Sequence, residues 1–155
     1  MTEPRWLDQQ EMAAWHAFLE ASHLVARRVE QQLREREGLS HPQYEILVRL
    51  SAAPEGELRM TELADLVVTS KSGLTYQIGK LEQAGLVRRR SCPGDDRGVY
   101  AVLTESGRRK LDRAAPGHVD LVRSSLIDVL TREQLESLAD GLSTVTRTLR
   151  TRDRG

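Results

Sequence analysis

The strongest constraint on the fold is a change of pattern near the middle of the chain. Residues 61–83 carry apolar side chains at spacings of three and four, broken at Thr69-Ser70, which predicts a short helix, a tight turn and a second helix. Residues 86–91 and 99–104 are instead typical of strands, and the turn formers CPGDDRG between them predict a hairpin with a long tip. This order of elements predicts a mainly α fold, a winged helix-turn-helix with a small β-hairpin wing.

Two further helices are predicted on the N-terminal side. Residues 8–37 carry an apolar stripe that ends at Gly38, and residues 42–53 form a second amphipathic segment. Leu58-Arg59-Met60 is long enough only for a very short strand. Thr61 is expected to cap the short helix that follows, because a threonine hydroxyl accepts a hydrogen bond from a free N–H of the first turn.

Two more helices are predicted after the hairpin. The first begins near residue 105, and Pro116-Gly117 is expected to kink or interrupt it. Thr131 and Gln134 form a capping-box pattern for the last helix.

Composition excludes several classes of protein. With 155 residues, 39% of them hydrophobic and 30% charged, the chain suits one folded domain better than a disordered segment. A single cysteine, Cys92, excludes an intrachain disulfide and points to a reducing compartment. The polar start MTEPRWLDQQ and the absence of any run near ~18 apolar residues argue against secretion or a membrane partner. We therefore expect a cytoplasmic protein.

Charge is unevenly distributed. Lys and Arg total 23, as do Asp and Glu, yet residues 57–110 carry 10 basic and 7 acidic side chains, a net charge of +3. A surface for nucleic acid is therefore expected in the middle third of the chain. Charge alone is more often the sign of an ordinary solvated face.

Helix 70–83 has the residue types expected of a DNA-reading helix. Leu74, Ile78 and Leu81 mark its buried face, and the opposite side is polar, small and mildly basic. Its two interior glycines, Gly73 and Gly79, either permit close approach to DNA or are simply tolerated. The alternative is an amphipathic helix with a solvated face beside an edge hairpin. The residues expected to contact double-stranded DNA are Thr69, Ser70, Lys71, Ser72, Thr75, Tyr76, Gln77, Lys80, Arg88, Arg89, Arg90 and Arg97.

The segments TSKSGLTYQIGKLEQAGLVRR (69–89) and GDDRGVYAVLTESG (94–107) resemble the MarR family of transcriptional regulators. The resemblance rests on an S-K-S-x-(L/V)-T helix, an L-x-x-x-G-L-V exit and a D-x-R wing followed by an L-T pair. It implies an obligate homodimer with interlocking first and last helices, which represses from a pseudo-palindromic operator. It also implies frequent release by a small aromatic ligand. Tyr76 and Gly73 depart from the Arg and Thr common in the family, which bears on operator preference.

The last helix carries the clearest signal for self-association. Its apolar residues step by three and four, and a helix of this length is marginal without packing partners. Packing on helix 105–130 is compatible with a dimer, which would also supply the ~34–36 Å between two DNA-reading lobes. Three domains follow: 1–37 as an N-terminal dimerisation helix, 38–104 as the winged helix-turn-helix and 105–155 as C-terminal dimerisation helices. The expected interface residues are Leu135, Leu138, Leu142, Val145 and Leu149.

A pocket for an aromatic ligand is a weaker expectation. Four ring-bearing residues are candidates to line an apolar pocket between the first two helices, although core packing is the default for such residues. An aromatic acid would also need a buried cation, for which three arginines are available. The lining residues are Trp15, Phe18, His41 and Tyr44, and the cation would be Arg27, Arg28 or Arg49.

Other chemistries find little support. His16 and His23 lie about 10 Å apart on one helix face and cannot share an ion alone, so no metal and no cofactor is expected. No phosphate loop or nucleophile motif suggests an enzyme. Two alternatives stay open. One is a winged helix used as a protein–protein interaction module, and the other is a redox sensor in which nearby arginines favour the Cys92 thiolate.

Overall fold

The computed structural model describes residues 2–92 and 94–155, without the side chains of Cys92, Asp95, Asp96 and Arg97. The fold is mainly helical with one small antiparallel sheet, which confirms the predicted winged-helix class.

The chain divides into two compact units, one reaching to His118 and the other formed by Val119–Gly155. The first unit therefore groups the first helix with the winged-helix elements. The three-part division predicted from the sequence is a division by role and stays a prediction. The helices are α1 (Gln9–Glu37), α2 (His41–Ala52), α3 (Met60–Leu66), α4 (Lys71–Gln83), α5 (Glu105–Val122) and α6 (Arg132–Asp153).

Three strands form the sheet, β1 (Glu57–Arg59), β2 (Val87–Cys92) and β3 (Asp95–Leu103), in the order β1-β3-β2 with antiparallel pairing. The prediction of a hairpin with a long tip was wrong, because both strands continue into the CPGDDRG segment. Ser91 pairs with Val99 but Cys92 pairs with Asp95, so β3 has additional residues at this point, as in a β-bulge.

Caps define most helix starts. Asp8 and Glu11 form a capping box on α1, and α1 ends at Gly38 in a left-handed conformation (φ 66°). The predicted Thr61 cap was wrong: α3 begins at Met60 after Arg59, which makes no side-chain capping bond. The reason is that β1 runs directly into α3, so the helix starts one residue before the expected cap.

The core lies between the first four helices and the sheet. The start of α5 closes it, because Thr104 Oγ1 donates to Gly85 O at 2.7 Å and accepts from Gly107 N at 3.0 Å. A Cβ on Gly107 would lie 2.1 Å from the carbonyl oxygen of Leu86, so only glycine fits this contact. The largest fully buried side chains are Leu33, Ile46, Leu47, Leu50, Leu63, Leu74, Ile78, Leu81 and Val87.

Helix α5 does not break where the sequence suggested. It continues through Pro116 to Val122, and the interruption falls in a π-type turn at Arg123–Ile127. A proline removes one donor and crowds the preceding turn, but here it leaves the helix continuous. In the second unit, Thr131 and Gln134 form the predicted capping box at the start of α6.

Candidate nucleic-acid interface

Helix α4 has one buried and one exposed face. Leu74, Ile78 and Leu81 are fully buried, and the Ser70 hydroxyl accepts a hydrogen bond from Gly73 N at 3.0 Å. The buried face and the cap hold the helix, so its outer side chains stand on a rigid support. The exposed residues among the predicted DNA contacts on this element are Thr69, Ser70, Lys71, Ser72, Thr75, Tyr76 and Lys80.

Tyr76 stands in the middle of this face with 62% of its surface exposed. The Lys80 ammonium, one turn further along, lies 5.6 Å from the centre of the Tyr76 ring. This cation–π contact orients two predicted DNA contacts toward each other and keeps the ring outside the core.

The two glycines of α4 have different surroundings. A Cβ on Gly73 would lie 2.7 Å from Thr69 Oγ1 and 3.0 Å from Ser70 Oγ, so a larger residue there would displace these hydroxyls. A Cβ on Gly79 would meet nothing within 4 Å. Nothing in this chain demands glycine at position 79, and close approach to DNA stays a prediction for both positions.

Gln77 lies on the flank of α4 that faces α2 and is half-buried. Its side-chain oxygen accepts a hydrogen bond from Gln43 Nε2 at 3.2 Å. Sequence reasoning gave no sign of this contact, because the two residues are 34 positions apart.

The three wing arginines have three different environments. Arg88 is exposed. Arg89 donates to Glu82 through its backbone N at 3.0 Å and through Nε and Nη2 at 3.3 and 3.0 Å. These bonds hold the pKa of the Glu82 carboxyl below its ordinary value, so the charge of Arg89 is largely balanced within the fold.

Arg90 points to the other side of the sheet. Its Nε donates to Glu57 at 2.8 Å, and its guanidinium lies 4.2 Å from the centre of the Tyr100 ring. The hydrogen bond lowers the pKa of Glu57. Arg59 approaches the same ring at 5.5 Å, so Arg90 belongs to a packed cluster of charged and aromatic groups. The three arginines named as DNA contacts thus differ, because Arg89 and Arg90 bind carboxylates of this chain and Arg88 is exposed. Contact of each with DNA stays a prediction.

Two of the residues singled out in the sequence lie outside the described side chains. They are Arg97, predicted to contact DNA, and Cys92, the candidate redox sensor. Their predictions stand as made.

Two open clefts flank α4. The cleft on the α2 side has a volume of about 570 Å³, and the cleft on the sheet side has a volume of about 430 Å³. Predicted DNA contacts line both, so both belong to the candidate interface. The first includes Pro42, Val68, Ser72, Tyr76 and Gln77, and the second includes Arg59, Thr61, Lys71, Thr75 and Arg89.

The four residues predicted to line an aromatic-ligand pocket do not come together within the single chain. His41 N donates to Glu30 at 2.6 Å, which places the start of α2 beside that residue of α1. Trp15 precedes Glu30 by 15 residues, or about 22 Å of helix, so Trp15 and Phe18 cannot meet Tyr44. The rings of Trp15 and Phe18 instead lie 6.1 Å apart, about half exposed. The three candidate cations, Arg27, Arg28 and Arg49, are exposed rather than buried.

A half-buried histidine that the sequence did not place lies beside two of these residues instead. The His118 ring is 4.3 Å from the Tyr44 ring and 6.2 Å from that of His41. Burial, followed by the nearby His41, lowers the pKa of His118, and its Nδ1 has no hydrogen-bond partner in the structure. His118 directly follows Pro116-Gly117, and the helix break expected there concealed its packing position.

The apolar stripe of α6 lies at the surface of the second unit. Leu135 is half-buried, and no residue of α6 is fully buried. The exposed members of the stripe are Leu138, Leu142, Val145 and Leu149.

Within the described part of the chain, no three His, Cys, Asp or Glu side chains cluster in a way that could hold a metal ion. None of the helices described is both long enough and apolar enough to cross a membrane.

Comparison with known proteins agrees with this geometry. The MarR family model matches residues 39–99. The HTH-type transcriptional regulator YfiV of Bacillus subtilis (strain 168) is 32% identical over 113 residues, which are 72% of this chain and 68% of that protein.

Solved structures extend the likeness to nearly the whole chain. The MarR family regulator AbsC of Streptomyces coelicolor is 41% identical with a TM-score of 0.91, covering 96% of this chain and 99% of its own. Sco3205, a MarR family regulator of the same organism solved in complex with DNA, is 42% identical with a TM-score of 0.92 and coverage of 96% and 93%. Sequence and fold thus agree, and the chain belongs to the MarR family of transcriptional regulators, which are DNA-binding proteins and not enzymes.

Proposed function

We propose that the protein is a repressor that binds a pseudo-palindromic operator as a homodimer. Helix α4 of each protomer enters the major groove, and the β2–β3 hairpin reaches the adjacent minor groove or backbone. The observation that carries the proposal is the exposed face of α4, which is small, polar and cationic on a capped helix with a buried opposite face. The structure of Sco3205 in complex with DNA, a protein 42% identical to this chain, supports binding to DNA.

The ion pairs of the candidate interface indicate which of its cations are available to bind phosphates. Lys71, Lys80 and Arg88 are exposed, whereas Arg89 and Arg90 bind Glu82 and Glu57. Each phosphate neutralised by a cation steepens the salt dependence of binding by about 0.9 units. We therefore expect a shallower salt slope than the number of arginines in the sequence would indicate.

The exposed stripe of α6 supports the homodimer. Its apolar side chains are available to a second copy of the chain, and burial of apolar surface is the main force that drives association. Two lobes are also required to reach successive major grooves, about 34–36 Å apart. A dimer held on a promoter blocks access of the polymerase, which makes repression the expected outcome. Release by a small aromatic ligand stays a prediction without an assigned site.

The test is binding to the DNA that flanks the protein's own gene, measured by fluorescence anisotropy with and without competitor DNA. We expect the double variant Lys71→Ala/Tyr76→Ala to lose at least about tenfold in affinity, since each good base contact contributes ~1–3 kcal/mol. Arg132→Ala, which removes an exposed charge in the second unit, is the control and should bind like the wild type. Equal affinity of all three proteins would exclude this face of α4 as the DNA contact, and wild-type binding that competitor DNA abolishes would favour the protein-interaction alternative.

A further inference from the structure

We propose that Gln43 of α2 is a positioning residue that orients the side-chain amide of Gln77, so that Gln77 turns its NH₂ group, rather than its oxygen, toward the operator. The inference rests on the proposed function, because it assigns a polarity to one residue of the α4 surface. It depends on three hydrogen bonds that follow one another from α2 to α4, among Ser40, Gln43 and Gln77, which we call the relay.

The orientation of the Gln43 amide is set by the start of α2. The backbone N of Ser40 donates to Gln43 Oε1 at 3.0 Å, while Gln43 N donates to Ser40 Oγ at 3.2 Å. Ser40 is itself buried, so this capping box is protected from water. A backbone N–H can only donate, and the atom of Gln43 that meets it must therefore be the oxygen.

The orientation of the Gln77 amide follows from that of Gln43. With its oxygen bound to Ser40, Gln43 turns its NH₂ group toward Gln77, and the two side chains meet at 3.2 Å. An NH₂ group can only donate, so the atom of Gln77 that meets it is the oxygen. The oxygen of Gln77 is thus directed toward α2, and Nε2 with its two N–H donors is the end of the amide turned to other partners.

The remaining donors lie at the candidate interface. Gln77 is half-buried on the flank of α4 and lines the cleft of about 570 Å³ together with Ser72 and Tyr76. A glutamine free to rotate pairs with adenine through its oxygen and its nitrogen together. That pairing is disfavoured here, because the oxygen is directed toward Gln43 and keeps only its second lone pair. Gln77 is therefore best suited to an acceptor of DNA, which is guanine O6 or N7, adenine N7, thymine O4 or a phosphate oxygen.

Gln43→Glu tests the relay while preserving the helix cap. A glutamate at this position still accepts from Ser40 N, as in the usual capping box, but it cannot donate to Gln77. The Gln77 amide should then turn over, donate to Glu and present its oxygen to DNA. Gln77→Glu also presents an oxygen to DNA in place of the NH₂ group, because one carboxylate oxygen accepts from Gln43 and the other is left for DNA. Pro42→Glu is the charge-matched control, since Pro42 lines the same cleft but takes no part in the relay.

Each protein is used for selection from a random DNA pool and for affinity measurement on the wild-type motif. If Gln77 reads a base, both relay variants should change the preferred base at one position by about tenfold toward adenine or cytosine, which offer donors. If Gln77 contacts a phosphate, the motif should stay the same and the affinity should fall clearly below that of Pro42→Glu. Melting temperatures should match the wild type for Gln43→Glu.

Two results separate the failure of the relay from the failure of the proposed function. If both relay variants select the wild-type motif and bind it with the affinity of Pro42→Glu, the relay is overturned. Operator binding itself would then stand. A wild-type protein that selects no motif at all would overturn the proposed function and the relay with it.

Discussion

Glu82, in the last turn of α4, accepts three hydrogen bonds from Arg89 at the start of the wing. One comes from the backbone N and two come from the guanidinium, at 3.0 to 3.3 Å. A single carboxylate thus joins the helix proposed to read bases to the hairpin proposed to reach the minor groove or backbone. Their relative orientation is consequently set within the protomer before DNA is bound.

This contact predicts a dependence of stability on pH. The pKa of Glu82 is lowered in the fold from its ordinary value of 4.5, so folding favours the charged form. The stabilisation is complete above the ordinary pKa, decreases as the pH falls below it, and is lost below the lowered value. We expect Glu82→Gln to unfold at less urea than the wild type at pH 7, with the gap narrowing as the pH falls below the ordinary pKa of 4.5. A gap of constant size across this range would contradict the prediction.

Arg88 and Arg90 should differ in their effects on the salt slope of DNA binding and on stability in urea. Arg88→Ala is expected to weaken binding to every DNA sequence and to reduce the salt slope by about one unit, because Arg88 is exposed. Arg90→Ala should leave the slope unchanged and lower stability, by ~0.5–1 kcal/mol for the loss of the Tyr100 contact alone. Salt titrations and urea unfolding check both effects, and a slope reduced equally by the two variants would contradict the assignment.

The two kinds of glycine in this fold give a matched pair of variants. Gly107→Ala would place a Cβ against the carbonyl of Leu86, and we expect it to destabilise the protein by about 1–3 kcal/mol. Gly79→Ala meets nothing in the chain and should stabilise α4 by up to ~1 kcal/mol. If α4 approaches DNA closely at Gly79, the same variant should bind its operator more weakly. A gain in stability with unchanged affinity would remove close approach as the reason for that glycine.

Local patterns predicted the helices and strands well because their signals are short-range. Apolar spacing, the Ser70 and Thr131 caps and Gly38 each act within one or two turns, and the structure shows all of them. The helix at Pro116 and the hairpin tip were predicted wrongly, since residues that favour a break were outweighed by the hydrogen bonding of the elements around them.

The candidate site was harder to predict because its details depend on contacts between distant residues. The pairs Arg90–Glu57 and Gln43–Gln77 are separated by 33 and 34 positions, and no periodicity reports on them. Val68 gave no signal either: it takes a left-handed conformation (φ 53°) that disfavours a β-branched residue, in the turn before α4. Such strain is visible only once the chain path is known.

The stripe of α6 predicts where the dimer can be broken. Leu142 lies at its centre and is 39% exposed in the single chain. An arginine there would bury an unpaired charge against the partner and cost several kcal/mol. We expect Leu142→Arg to give monomers or aggregates in light scattering and to abolish operator binding. Thr144→Arg is the control, because Thr144 is exposed and lies outside the stripe, on the opposite face of α6 from Leu142. A clean dimer of Leu142→Arg would exclude α6 as the interface.

Base reading by Tyr76 gives the most specific prediction for the operator. The exposed ring has two uses on DNA, since its hydroxyl can bond a base edge or phosphate and its face can contact a thymine methyl. Tyr76→Phe should keep the methyl contact and lose the hydroxyl bond, while Tyr76→Ala should lose both. We expect a cost of ~1–3 kcal/mol at one operator position and little elsewhere.

The melting temperature of both Tyr76 variants should stay near that of the wild type, because the ring lies outside the core. Tyr76→Ala also removes the ring that orients Lys80, 5.6 Å away, so a small loss of affinity for all sequences should accompany the specific one. Lys80→Ala is the control that shows this general loss without the specific one. Selection from a random DNA pool distinguishes the two effects. If the wild type and Tyr76→Ala return the same motif, Tyr76 does not read a base and contributes only to the general affinity.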